Sequence, residues 1–312
     1  MNIYGDRGRV LITGASGVIG MAVTDLLTAQ GYDVSAVSSV DADLTNELSA
    51  TRLIQAVKPR FVIHLAARVH GLMGNLHQQG SMFYDNARIN SNVVEASRLA
   101  GVKKFVAMGS VAMYSDSVAL PMNEADVWNG APHSSEAGYA HAKRAMLAQL
   151  EAYKDQYDLD FAFALSTNLF GPRDRFDEKN GHVLPSLLSK FHRGVHTGDP
   201  VTVWGSGTPT RDFLYSKDAA VAIQLLLEKG SGVYNLATGQ HHSIRDTAAL
   251  IAKVTGYEGE IQWDRDKPDG QSARAYDVTR ITDLGWKSTT SFEDALRETY
   301  DWYSANDVLA RR

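Results

Sequence analysis

A chain of 312 residues with 44% hydrophobic, 9% aromatic and 21% charged content has the make-up of a globular protein, which excludes disorder and fibrous repeats. Cysteine is absent, and with it go disulfides, thiolate metal sites and thiol nucleophiles. Lys and Arg number 31 against 36 Asp and Glu, so the net charge of −5 has the wrong sign for a nucleic-acid-binding domain. Met1 to Gly8 carry charge and glycine instead of the apolar run of a signal peptide, and no later stretch reaches the ~18 apolar residues of a membrane span, so a cytoplasmic location is expected.

From residue 9 to about 165, short apolar runs alternate with helical stretches, the rhythm of βαβ units and a parallel sheet. Val10-Leu11-Ile12, Val34 to Val37, Phe61 to Leu65, Phe105 to Met108 and Phe161 to Leu165 have the length and β-branched or aromatic content of buried strands. Val18, Ile19, Ala22, Val23, Leu26 and Leu27 recur at helical spacing, and Gly31 is placed to end that helix.

Beyond Gly171-Pro172 loop signals and scattered cations multiply, which reads as a second, smaller lobe. Residues 218 to 237 return to a helix-then-strand pattern, so the chain is expected to re-enter the first sheet. The expected fold class is therefore α/β, a doubly wound parallel sheet in residues 1–170 and about 218–240, with a substrate lobe from 171–217 and 241–312.

Gly14-Ala15-Ser16-Gly17-Val18-Ile19-Gly20 joins the first strand to the first helix, with glycines at the first, fourth and seventh places. Glycines there permit a tight turn and close approach of a pyrophosphate, which the helix N-terminus attracts. A dinucleotide is the expected ligand, held by Gly14, Ser16, Gly17, Val18, Ile19 and Gly20, by Ser38, Asp43 and Leu44 after the second strand, and by Ala66 after the third. No Arg follows the second strand to meet a 2′-phosphate, so the residues leave NADP and NAD both open.

Tyr139 and Lys143 stand four apart in a helix-forming stretch over 137–156 and so share one face. A phenol exchanges protons poorly at neutral pH, and an ammonium beside it favours the phenolate. Ser110 ends the preceding strand, where its hydroxyl can bind a substrate carbonyl. No metal site is read from the sequence.

The order of glycine loop, Ser and Tyr-x-x-x-Lys resembles the extended short-chain dehydrogenases/reductases with their Rossmann-type sheet. Ser166 to Pro172, Asn180 to Pro185, Val203 to Leu214 and Lys267 to Gly270 narrow the resemblance to the GDP-L-fucose synthase (GDP-4-keto-6-deoxymannose epimerase/reductase) family. The resemblance implies an oxidoreductase that uses NADP on a GDP-linked 4-keto-6-deoxy sugar, in a homodimer formed through helices near 86–100 and 137–156. It implies catalytic roles for Ser110, Tyr139 and Lys143, an acid role in epimerisation for His182, and a nicotinamide-side place for Asn168. Lys190, Trp204, Arg211 and Arg274 fall where the family holds GDP.

Two departures stand out. The family's catalytic Cys, two residues after the Ser, is Ala112 here, and a methyl group accepts no proton. The Arg residues that the family carries in its glycine loop and after the second strand are missing as well. Reduction without epimerisation is therefore expected. The alternatives are full epimerase/reductase activity with another base, a nucleotide-sugar epimerase or dehydratase using NAD, or a dinucleotide-sensing protein.

Overall fold

The computed structural model describes residues 8–69, 77–178, 181–267, 274–307 and 310. Strands and helices alternate through the first half: β1 (Val10–Thr13), α1 (Val18–Ala29), β2 (Val34–Val37), α2 (Glu47–Val57), β3 (Phe61–His64), α3 (Gln79–Leu99), β4 (Lys104–Ser110), α4 (Ala137–Tyr157) and β5 (Phe161–Ser166). The second half holds β6 (Asn168–Phe170), α5 (Val183–Thr197), β7 (Val201–Trp204), β8 (Thr210–Arg211), β9 (Phe213–Tyr215), α6 (Ser216–Lys229), β10 (Gly232–Leu236), β11 (His242–Ser243), α7 (Ile244–Thr255), β12 (Ile261–Asp264), α8 (Thr279–Asp283) and α9 (Phe292–Asn306).

Six parallel strands make the main sheet in the order β10-β5-β4-β3-β1-β2, a Rossmann-type doubly wound arrangement. The chain runs outward from β1 to β2, then returns to place β3 on the other side of β1, so the order reverses between β1 and β3. Ligands bind at such a reversal, beyond the carboxyl ends of the strands. The expected return to the sheet is present: α6 leads to β10, which pairs in parallel with β5. β4 runs through to Ser110, further than the apolar run alone implies.

Side chains alternate along each strand and so feed two cores. Leu11, Val62, Phe105 and Phe163 pack under α2, α3 and α4 with Ile54, Val93 and Leu147. Val10, Ile12, Ile63 and Val106 pack on the opposite face with Val23 and Leu27 of α1 and Ile223 and Leu226 of α6. Gly31, at φ +80, turns the chain out of α1 where a side chain would be strained. A third core joins Leu187, Leu188 and Phe191 of α5 to Ile251, Leu296 and Tyr303. Ile281 and Trp286, far along the chain, pack into the core beside α6. Among the described residues no helix is long and apolar enough to cross a membrane.

Candidate active site

The glycine loop is built as the spacing requires. Gly14 sits at φ +72, and a Cβ there would lie 2.6 Å from the Ala66 nitrogen, so the exits of β1 and β3 touch. A Cβ on Gly20 would lie 2.2 Å from the Gly14 carbonyl oxygen, so helix and turn meet with no room for a side chain. Gly17 caps α1 without any side-chain hydrogen bond, and the first turn holds no acid. The first N–H groups of α1 and the positive end of its dipole therefore suit a diphosphate. These contacts fit a dinucleotide laid over Gly14, Ser16, Gly17, Val18, Ile19 and Gly20.

Past β2 the fit is looser. Ser38 donates from both its N–H and its hydroxyl to Asp41 Oδ2 at 2.8 Å. Asp43 is occupied by its own loop, accepting from Thr45 N–H and hydroxyl at 3.0 and 2.7 Å, and these bonds hold it below the usual carboxylate range. Leu44 is buried in the core under α2 and α3.

Lys143 joins Tyr139 to the end of β4, the strand that finishes at Ser110. Lys143 is 1% exposed, and its Nζ donates to the Met108 carbonyl at 2.8 Å, two residues before Ser110. The same Nζ lies 5.7 Å from the centroid of the Tyr139 ring. Ser110 Oγ accepts from Ala112 N–H at 3.1 Å and opens a single 3₁₀ turn, Val111–Met113. Arg144 fixes that turn to α4 by donating from Nε to the Met113 carbonyl at 3.0 Å.

The electrostatics revise one expectation. The ammonium was expected to lower the phenol, but burial and then the Glu136 charge push Tyr139 above its ordinary value. Burial also pushes the Lys143 ammonium down, to about 7. A phenol kept protonated is suited to giving a proton, the direction that reduction of a ketone needs.

The residues expected to hold substrate form two groups. Arg274 is 7% exposed and donates from Nη1 to the Val111 carbonyl at 2.7 Å and from Nη2 to Asp116 Oδ1 at 3.0 Å. Among the described residues its buried Nε has no hydrogen-bond partner. Tyr276 lies beside Arg274 and Arg211, and Arg211 donates to the Thr210 carbonyl at 2.8 Å. Arg274 thus reaches the turn that carries Ala112.

In the second group Lys190 lies 5.4 Å and Lys267 5.8 Å from the Trp204 ring, which is 42% exposed. Lys190 also donates to the Thr202 carbonyl at 3.1 Å, and burial pushes its ammonium down. Asn168, just past β5, donates to the Asp212 carbonyl at 3.1 Å. His182 is exposed at the start of α5 and caps it without a side-chain bond. Asn180 and residues 268–270, part of the motif strings, lie outside the described residues.

His64 was read only as part of an apolar strand, yet it organises the floor of the crevice. Its Nδ1 meets Thr13 Oγ1 at 2.8 Å and its Nε2 meets Asn90 Oδ1 at 3.1 Å, while Asn90 Nδ2 donates to the Ala142 carbonyl at 3.3 Å. Burial, with the nearby Lys143 charge, pushes the imidazole down to about 3. A histidine interrupting an otherwise apolar buried strand was the available signal.

Comparison with known proteins gives the family. The model of the NAD dependent epimerase/dehydratase family matches residues 10–237. GDP-L-fucose synthase 1 of Arabidopsis thaliana is 34% identical over 302 residues, covering 96% of this chain and 94% of the relative. GDP-L-fucose synthase of Escherichia coli (strain K12) is 35% identical over 319 residues, covering 96% and 98%. Among solved structures, a GDP-L-fucose synthetase from Naegleria fowleri bound to NADP superposes with a TM-score of 0.91 at 30% identity, covering 97% of this chain and 96% of that one. A GDP-mannoheptose C4 reductase from Campylobacter jejuni with NADP bound gives 0.85 at 27% identity, covering 95% and 98%. The glycine turn, the Tyr139–Lys143 pair at the end of β4 and full-length similarity lead to one conclusion: this chain is an oxidoreductase of the GDP-L-fucose synthase family, within the NAD-dependent epimerases and dehydratases.

Proposed function

We propose that the protein reduces the C4 ketone of a GDP-linked 4-keto-6-deoxy sugar with NADPH and leaves C3 and C5 untouched. The observation that carries this reading is the contrast within one turn: Tyr139 and Lys143 stand complete beside β4, while Ala112, 5% exposed, offers only a methyl group where a base is needed. The nicotinamide supplies the hydride when bound. Tyr139 gives its proton to the oxygen that becomes an alkoxide, Ser110 orients that oxygen, and Lys143 holds the ribose beside the phenol.

Support for the ligands comes from the relatives. The Naegleria and Campylobacter neighbours are described with NADP bound, and the second is described as a C4 reductase acting on a GDP-heptose. GDP suits a protein of net charge −5 only where cations are concentrated, as at Arg211, Arg274, Lys190 and Lys267. Trp204 offers an exposed aromatic face to the base. His182, the acid that the family resemblance implies for epimerisation, finds no partner base at Ala112.

The same reading assigns residues 1–170 and about 218–240 to the dinucleotide and 171–217 with 241–312 to the nucleotide sugar. It includes a cytoplasmic location and a homodimer through the helices near 86–100 and 137–156. The test is product identity. With GDP-4-keto-6-deoxymannose and NADPH, NMR is expected to show a C4-reduced sugar of unchanged configuration at C3 and C5, whereas GDP-L-fucose as the product would overturn the reading.

A further inference from the structure

Tyr139 is the third residue of α4, and α4 opens without a cap of its own, because Glu136 makes no side-chain hydrogen bond there. Uncapped N–H groups leave a first turn prone to fray, and here that turn carries the phenol. The missing partner comes from another helix. Gln79, the first residue of α3, accepts through Oε1 from Gly138 N–H at 2.6 Å. Its Nε2 donates to the carbonyls of Ser134 and Ser135 at 3.0 and 2.7 Å.

One side-chain amide therefore meets three backbone groups in the five residues before Tyr139. The approach is close: a Cβ on Gly138 would lie 2.2 Å from the Gln79 carbonyl oxygen, so glycine is what lets the two helix starts touch. One turn further on, Asn90 of α3 donates to the Ala142 carbonyl at 3.3 Å. α3 thus grips α4 at 138 and at 142, on either side of Tyr139, and is itself tied to β3 through His64.

We infer that Gln79 is a positioning residue for Tyr139: it supplies, across the helix pair, the cap that α4 lacks, and so fixes the phenol against the substrate ketone. This rests on reading Tyr139 as the proton donor. Gln79 touches no substrate, and it acts through Gly138 N–H and the two seryl carbonyls.

The test uses the full chain with GDP-4-keto-6-deoxymannose and NADPH. Gln79→Ala is expected to lower kcat ~10- to 100-fold, since displacement of a reacting group by about 1 Å costs that much, while KM for both ligands stays unchanged. Amide hydrogen exchange at residues 137–139 should quicken in parallel. Gln79→Met, which keeps the volume and loses the bonds, gives the same result if Gln79→Ala does not fold. Gln79→Glu keeps the acceptor for Gly138 N–H but loses the donor to the Ser134 and Ser135 carbonyls and sets a carboxylate oxygen against them, so it should share the lowered kcat and quickened exchange.

Tyr139→Phe separates the inference from its foundation. It should lose ~10²- to 10⁴-fold in kcat with exchange at 137–139 unaltered. If Tyr139→Phe is inactive but Gln79→Ala and Gln79→Met keep wild-type kcat, the role of Gln79 is overturned alone. A fall in kcat for Gln79→Ala with exchange at 137–139 unaltered also overturns it. Full activity in Tyr139→Phe removes the proton donor, and the inference with it.

Discussion

The two halves of the site are made by different means. On the dinucleotide side the backbone does the shaping: Gly14 at φ +72 against Ala66, Gly20 pressed on the Gly14 carbonyl, and a helix start with no side-chain cap. On the side proposed for the nucleotide sugar long side chains do it: Arg274 stretched onto Val111 and Asp116, and Lys190 and Lys267 set near an exposed Trp204. Backbone shapes tolerate no added atom, whereas cations near an aromatic ring can re-form with a neighbour's help. Damage on the first side should therefore be abrupt, and damage on the second graded.

Gly20→Val is the harshest way to break that contrast, because its Cβ alone would sit 2.2 Å from a backbone oxygen. Displacing the turn forfeits about two charge-assisted bonds to phosphate, so the Kd for NADPH, read by fluorescence titration, should rise roughly 10²- to 10⁴-fold. Binding within threefold of wild type would show that the turn does not hold the cofactor.

The floor of the crevice gives the next effect, through pH. His64 is fully buried with its pKa pushed from 6.5 down to about 3, so between these values the unfolded chain binds a proton that the folded chain does not. Stability from this residue is complete above about pH 6.5 and is lost as pH falls towards 3. Denaturant titrations at pH 7 and pH 4 should show wild type losing about 3 kcal/mol more than His64→Gln. Equal losses would place the acid sensitivity elsewhere. Lys143 carries the same sign at higher pH: its folded value of about 7 lies below the 10.5 of the free side chain, so its contribution grows as pH rises across that interval.

Trp204→Ala is the mildest. Lys190 and Lys267 remain to meet the nucleotide, so KM for the GDP-sugar should rise only ~3- to 10-fold with kcat held. A collapse in kcat would mean that the second side also shapes the reacting centre, and would erase the contrast.

Legibility followed the same division. Strands buried on both faces read as apolar runs, glycine spacing reports a turn that no other residue makes, and Tyr139 and Lys143 sit four apart on a helix the sequence declares. Ser110 was reachable because the end of β4 was. The second side left fainter traces from the residues themselves: nothing local in Lys190, Trp204 or Arg274 marks them as ligand residues, and resemblance supplied that grouping.

The pKa balance at Tyr139 was misread for the same reason, since burial is a property of the packed chain and outweighs the one neighbour visible in the sequence. Gln79 gave no signal whatever. A glutamine opening a polar helix is ordinary until the fold brings Gly138 against it.

Reduction without proton abstraction at the flanking carbons can be examined apart from hydride transfer. The protein is incubated with GDP-4-keto-6-deoxymannose in heavy water without NADPH, and the sugar is followed by NMR. Protium should persist at C3 and C5 at the rate of the enzyme-free control, because Ala112 takes no proton. Enzyme-dependent deuterium at either carbon would contradict the account.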